Sequence, residues 1–202
     1  SPCPKYFATT SKGETIYLDR DGKHLLDWLR ELLAESPNLY SEINEFLTHR
    51  LMDFSLFKFN SIGADEKELK VEFKNDSKKK IELNFSQLSD GEKIFMLAAG
   101  LVARMNSGKP ILCLWDEPDN FISLVELSHF ILACRKAAET SDESVQLIMS
   151  SHNATVINEF SKHNTYVLSR HSHLEPSRSQ KLEAKTYISA TLIEAFENGE
   201  LD

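Results

Sequence analysis

The residues best placed to do chemistry stand at the end of an apolar run. Ile111, Leu112, Cys113, Leu114 and Trp115 lead directly into Asp116 and Glu117, and Pro118 follows. A hydrophobic strand that ends in two carboxylates delivers them to the C-terminal edge of a sheet, where open α/β sheets take their ligands. Two adjacent acids there can divide the labour. Asp116 can hold a Mg²⁺ ion, commonly through water, while Glu117 orients and polarises an attacking water. Pro118 stops the strand at once. The plainer alternative is a strand leaving the core through an acidic turn.

Two further groups qualify. In Leu88-Ser89-Asp90-Gly91-Glu92-Lys93, Ser89 can cap the helix that follows, and Glu92 completes a capping-box pattern. Gly91 lets a ligand approach the backbone closely. Free N–H groups and the positive end of the helix dipole then favour phosphate. The same four-residue pattern is also a common helix start. In Leu147-Ile148-Met149-Ser150-Ser151-His152-Asn153, a second apolar run ends in two serines and a histidine. That imidazole can hydrogen-bond a terminal phosphate oxygen or the attacking water, or it is simply a polar loop residue.

The elements that must position these groups follow from periodicity. Residues 14–18 alternate as a weak strand, and a turn at 19–22 precedes an amphipathic helix over 24–36. A second helix spans 40–51, with Ser41 as its N-cap. Residues 55–60, 68–74 and 80–85 alternate with period two around turns, which predicts an antiparallel meander with Lys78, Lys79 and Lys80 at a solvated turn. From residue 86 the pattern becomes helix–strand–helix–strand, as an α/β domain requires. Helices are predicted over 89–105, 123–140, 154–160 and 188–198. Buried parallel strands are predicted over 110–115 and 145–150, a third strand over 165–169, and an irregular polar stretch over 170–184. The predicted fold class is α/β: a three-layer, mostly parallel sheet, with a helical pair and β-meander over 14–85 and the motif-bearing core over 86–202.

The totals bound the function. The chain has 202 residues, 41% apolar and 27% charged, which is ordinary for one globular domain. A net charge of −8 argues against coating nucleic acid. Cys3, Cys113 and Cys134 have no C-x-x-C spacing, so a reducing, cytoplasmic setting is expected. No apolar run approaches the roughly 20 residues of a membrane span, so no membrane partner is expected. The chain opens Ser1-Pro2-Cys3-Pro4 without Met, which leads to the expectation of a fragment or processed product. His171 and His173, and the cations Arg170, Arg178, Lys181 and Lys185, are read as a solvated loop rather than as a metal or nucleic-acid site. No G-x-S-x-G elbow exists for a serine hydrolase.

Taken in order, Leu88-Ser89-Asp90-Gly91, the strand ending in Asp116-Glu117 and the strand ending before His152 resemble the ABC ATPase superfamily, in particular its RecF-, SMC- and OLD-like prokaryotic "AAA domain" branches. The resemblance extends from about residue 14 to the end of the chain. It implies that Ser89 and Gly91 contact the terminal phosphate of an ATP held by the opposite subunit of a head-to-tail dimer. It implies that Asp116 is the Mg²⁺-associated Walker B aspartate, Glu117 the catalytic glutamate and His152 the switch histidine. Ser123 stands where transporters of the superfamily usually have Asp. No G-x-x-x-x-G-K-[ST] phosphate loop occurs anywhere in the chain. The expectation is therefore the C-terminal part of an ATP-hydrolysing domain that works with ATP and Mg²⁺ in the intact protein but binds ATP weakly or not at all alone. Its expected partners are a second copy or a segment bearing the phosphate loop, with DNA or a nuclease as further candidates in DNA repair or phage defence. The rivals are a non-catalytic dimerisation or docking module of the same fold, and an ATPase subunit that gates a separate nuclease.

Overall fold

A computed structural model describes residues 1–76, 79–140, 145–153, 156–157, 164–181, 194 and 198. Its centre is helix α3 (Asp90–Asn106), on which every residue from Ile94 to Ala103 is buried. A helix that is apolar all round must be surrounded, and three helices do this. α1 (Leu25–Glu35) buries Leu25, Leu26, Trp28, Leu29 and Leu32, and α2 (Leu39–Thr48) buries Leu39, Ile43, Phe46 and Leu47. α4 (Leu124–Thr140) contributes Leu127, Phe130, Ile131 and Cys134. α1 approaches α3 so closely at Gly100 that an added Cβ would lie 2.7 Å from the Leu29 side chain.

The meander forms as predicted. Strand β3 (Lys67–Lys74) pairs antiparallel with β2 (Phe54–Ser61) and with β4 (Lys80–Asn84). Its inner face carries Phe54, Phe57, Leu69 and Val71 into the core. Its outer face is a charge ladder: Lys58 meets Glu82 at 2.5 Å, Lys70 meets Glu82 at 3.2 Å and Glu68 at 3.3 Å, and Lys80 meets Glu72 at 2.8 Å. These lysines are matched by acids rather than free to form a basic patch. The Tyr40 hydroxyl donates to the Phe57 carbonyl at 2.6 Å and ties α2 to the sheet.

Several expectations need correction. Residues 14–18 form no strand. The strand is instead β1 (Thr10–Ser11), paired with β3. The Asp27 carboxylate accepts the backbone N–H groups of Lys12 and Gly13 at 2.9 and 3.2 Å, which turns the chain away from the sheet before residue 14. Ser41 is no N-cap, because α2 begins earlier, with Asn38 at the cap. The segment 170–184 is not wholly irregular: β7 (Tyr166–Ser169) pairs antiparallel with β8 (Arg178–Lys181), so β7 belongs to a hairpin and not to the parallel sheet. The parallel sheet among the described residues consists of β5 (Ile111–Asp116) and β6 (Val145–Ser150). Most of the helix expected over 154–160 and nearly all of that over 188–198 lie outside the described residues. The architecture is mixed α/β. Among the described residues, no helix is long and apolar enough to cross a membrane.

β5 and β6 also depart from the buried strands expected of them. One face, with Trp115 and Val145 buried and Ile111, Cys113, Leu147 and Met149 packed beside them, closes on the core. The other face presents Leu112, Leu114 and Ile148, at 59, 68 and 60% exposure. Apolar residues on both faces of a strand signal two covering layers, and the described residues supply one.

Candidate acid–imidazole site

Parallel pairing of β5 with β6 sets Leu114 opposite Ile148 and Asp116 opposite Ser150. Asp116 therefore lies on the uncovered face, at the end of the exposed apolar stripe. Its Oδ1 accepts a short hydrogen bond from the Ser150 hydroxyl. One residue on, the Glu117 N–H donates to the Ser150 carbonyl at 2.9 Å, the last tie between the two strand ends.

Glu117 adopts φ 49°, ψ 66°, a left-handed conformation that is uncommon outside glycine. Pro118 follows and opens a short 3-10 turn, Pro118–Phe121. The reversal swings the Glu117 carboxylate out of line with the strand, between two partners. Oε2 accepts from Asn120 Nδ2 at 3.1 Å, and Oε1 lies 3.4 Å from His152 Nδ1. The imidazole is exposed, and its distance to Oε1 is longer than a full hydrogen bond. Beyond the strand ends, the Ser151 hydroxyl donates to Asp119 Oδ1 at 3.0 Å and accepts the Asn153 N–H at 2.9 Å. The loops carrying Glu117 and His152 are thus joined to each other.

Of the residues singled out from sequence, Asp116, Glu117 and His152 meet at this edge. Ser89 and Gly91 do not join them directly. Ser89 caps α3 in a reciprocal capping box: its N–H and hydroxyl both reach Glu92 Oε2 at 2.7 Å, and its Oγ accepts the Glu92 N–H at 3.3 Å. Gly91 sits behind the site's own loop, where a Cβ would meet only the Phe121 carbonyl oxygen, at 3.4 Å, an ordinary contact. Its φ is not left-handed. Neither the backbone nor the packing of the described residues demands a glycine there. Ser123, which stands where transporters of the superfamily usually have Asp, donates to Glu126 at 2.6 Å at the start of α4.

Sequence reasoning did not single out Asp119, Asn120, Ser150 or Ser151 as contributors. Ser150 meets Asp116, and Ser151 meets Asp119, at separations of 34 and 32 residues along the chain. Burial pushes the Cys113 thiol up to about 11 and the fully buried Cys134 thiol well above its usual value. Neither is a nucleophile at neutral pH. His171 and His173 are exposed, and Arg170 lies 2.8 Å from the His173 ring. No cluster of three or more His, Cys, Asp or Glu among the described residues could hold a metal. Mg²⁺ needs no such cage: it is typically held by one or two carboxylates with substrate phosphates and water, and the accessible Asp116 carboxylate fits that use.

A family model described as "AAA domain, putative AbiEii toxin, Type IV TA system" matches residues 14–158. No curated protein matches the chain. Among solved structures, the fold is similar to one from work on ATP-driven dimerization and DNA-stimulated activation of SMC ATPases, with a TM-score of 0.56 and 13% identity over 85% of this chain and 95% of that one. It is also similar to the Smc head domain with a coiled coil and joint derived from Pyrococcus yayanosii, with a TM-score of 0.53 and 16% identity. There the match covers 88% of this chain and 31% of the other. At such identities the likeness concerns the fold.

Proposed function

The chain belongs to this AAA-domain family, and from that premise we propose that it is the C-terminal part of an ABC-type, RecF- and SMC-like ATPase domain that hydrolyses ATP with Mg²⁺. The observation that carries the reading is the meeting of Asp116, Glu117 and His152 at the C-terminal edge of a parallel strand pair, with Glu117 Oε1 3.4 Å from the imidazole. Asp116 is the residue that would hold Mg²⁺, which supplies charge neutralisation on the phosphates when bound. Glu117 orients the attacking water and accepts its proton at Oε1. His152 donates to a terminal phosphate oxygen and steadies the charge that develops there.

The uncovered face supports a second part of the reading. Parallel strands are joined by right-handed crossovers whose helices run antiparallel to them, so a helix seated on Leu112, Leu114 and Ile148 has its N-terminus beside Asp116. A phosphate loop at that N-terminus would put its N–H groups where Asp116 and Glu117 need the triphosphate. We assign the face to such a segment and the start of α3 to the ATP of a second subunit, in a head-to-tail dimer. Gly91 supports the latter, since nothing among the described residues accounts for it. ATP-driven association of this kind would serve DNA repair or phage defence.

The test is Glu117→Gln in the assembled ATPase. Turnover should fall by orders of magnitude while ATP binding persists and an ATP-bound dimer accumulates. Near-normal turnover removes Glu117 from its role and the reading with it.

A further inference from the structure

We propose that Asp119 and Ser151 are positioning residues that latch the glutamate-bearing loop to the histidine-bearing loop and so set how the Glu117 carboxylate and the His152 ring jointly face the attacking water. The proposal rests on the ATPase reading above. It starts from the observation that Glu117 and His152 belong to different strands and different loops, and neither side chain is fixed by burial: the imidazole is exposed and the carboxylate only half-buried. Geometry at a reacting centre must hold to within a fraction of an ångström. Something other than packing must therefore hold it.

At the strand ends, Glu117 N–H to Ser150 carbonyl and Ser150 hydroxyl to Asp116 align the backbones. They act below the level of the functional side chains. Beyond them, the Ser151 hydroxyl uses both of its capacities at once. It donates across the gap to Asp119 Oδ1 at 3.0 Å, and it accepts the Asn153 N–H at 2.9 Å. His152 lies between those two anchored positions, so the turn that aims its ring is shaped by the same oxygen that crosses to the other loop. On the facing side, Asp119 lies next to Asn120, whose amide holds Glu117 Oε2 at 3.1 Å. That bond leaves Oε1 directed at the imidazole. Pull on Ser151 and the strain runs through Asp119 and Asn120 to the carboxylate.

The experiment measures kcat, ATP affinity and melting temperature of the assembled ATPase for Ser151→Ala, Asp119→Ala, their double variant, Ser151→Thr and Asp119→Asn, with Glu117→Gln as reference. Each alanine variant should lose on the order of ten- to a hundredfold in kcat, with ATP affinity and melting temperature close to those of the parent. The double variant should be no slower than either single one, because one bond is lost in all three. Ser151→Thr keeps the hydroxyl and Asp119→Asn keeps an acceptor, so both should recover most of the rate. Alanine variants at full rate, or losses that multiply in the double variant, overturn the latch while leaving Glu117 in place. A fall in melting temperature that accounts for the lost rate, unrepaired by Ser151→Thr and Asp119→Asn, overturns it as well. Should Glu117→Gln itself turn over normally, the failure lies in the underlying ATPase reading.

Discussion

Helix α3 contains two glycines that should respond oppositely to the same methyl group. At Gly91 an added Cβ meets only the Phe121 carbonyl oxygen, at 3.4 Å, and the backbone is already helical. Alanine there removes the conformational cost of glycine, worth about 0.5–1 kcal/mol in a helix interior and less in a first turn. Gly91→Ala should leave the chain as stable or up to about 1 kcal/mol more so, a melting shift between zero and roughly +4 °C at this size. At Gly100 the Cβ would lie 2.7 Å from Leu29 Cδ2 and 2.9 Å from Trp28 Cζ3. Overpacking of that kind costs about 1–3 kcal/mol, against which the propensity gain recovers at most about 1. Gly100→Ala should therefore melt lower by several degrees. The functional effects should reverse the order. If the α3 start binds the phosphate of a second subunit's ATP, a methyl at position 91 holds that anion off the backbone. The loss of one charge-assisted hydrogen bond, about 1.5–3 kcal/mol, weakens ATP-driven dimerisation roughly ten- to a hundredfold. Thermal melts of the chain and light scattering of the assembled protein with and without ATP read the two effects separately. A Gly91→Ala variant that melts lower, or that dimerises with ATP as the parent does, refutes the reasoning that its glycine serves an outside ligand.

Three other expectations bear on the same structure. Ser89→Ala removes the α3 cap and should cost about 1 kcal/mol, whereas Ser89→Asn, still a capping residue, should restore most of it in a urea titration. Lys80 holds the Glu72 carboxyl below the usual range, and Lys58 and Lys70 do the same for Glu82. A lowered folded pKa contributes stability that is complete above the unfolded value and disappears as pH falls through the folded one. The melting temperature should thus hold down to roughly pH 4.5 and drop below it, more gently in Glu72→Gln/Glu82→Gln; an unchanged acid slope in that variant excludes the ladder as its cause. A thiol reagent at neutral pH should modify Cys3 in the folded chain, while Cys113 and Cys134 react only on unfolding. Rapid labelling of Cys134 in the native state would contradict its full burial.

What could be read directly from sequence was whatever local chemistry decides. The Ser89–Glu92 capping box needs only residues three apart, and it forms as expected. The meander was legible because its alternation has one period and one buried face, and the end of β5 at Asp116 was legible because Pro118 leaves no alternative. What escaped depends on partners remote in the chain. The open face of β5 and β6 was read as buried because Leu112, Leu114 and Ile148 are as apolar as the residues on the covered face, and composition does not say whether a second layer is present. β8 escaped because Arg178, Ser179, Gln180 and Lys181 are all polar and exposed, so only their pairing with β7 makes them a strand. Asp119 and Ser151 are ordinary loop residues until their partners across the gap are known. Nor does anything local announce the left-handed backbone of Glu117.

The exposed stripe of Leu112, Leu114 and Ile148 has a consequence for the life of the protein as well as for its chemistry. A contiguous apolar surface of this sort is what chaperones grip and what drives unassembled polypeptides to aggregate. Until the helix proposed for this face has docked on it, a newly made copy would be open to both fates. Closing the nucleotide site and hiding the stripe would then be one and the same step of folding.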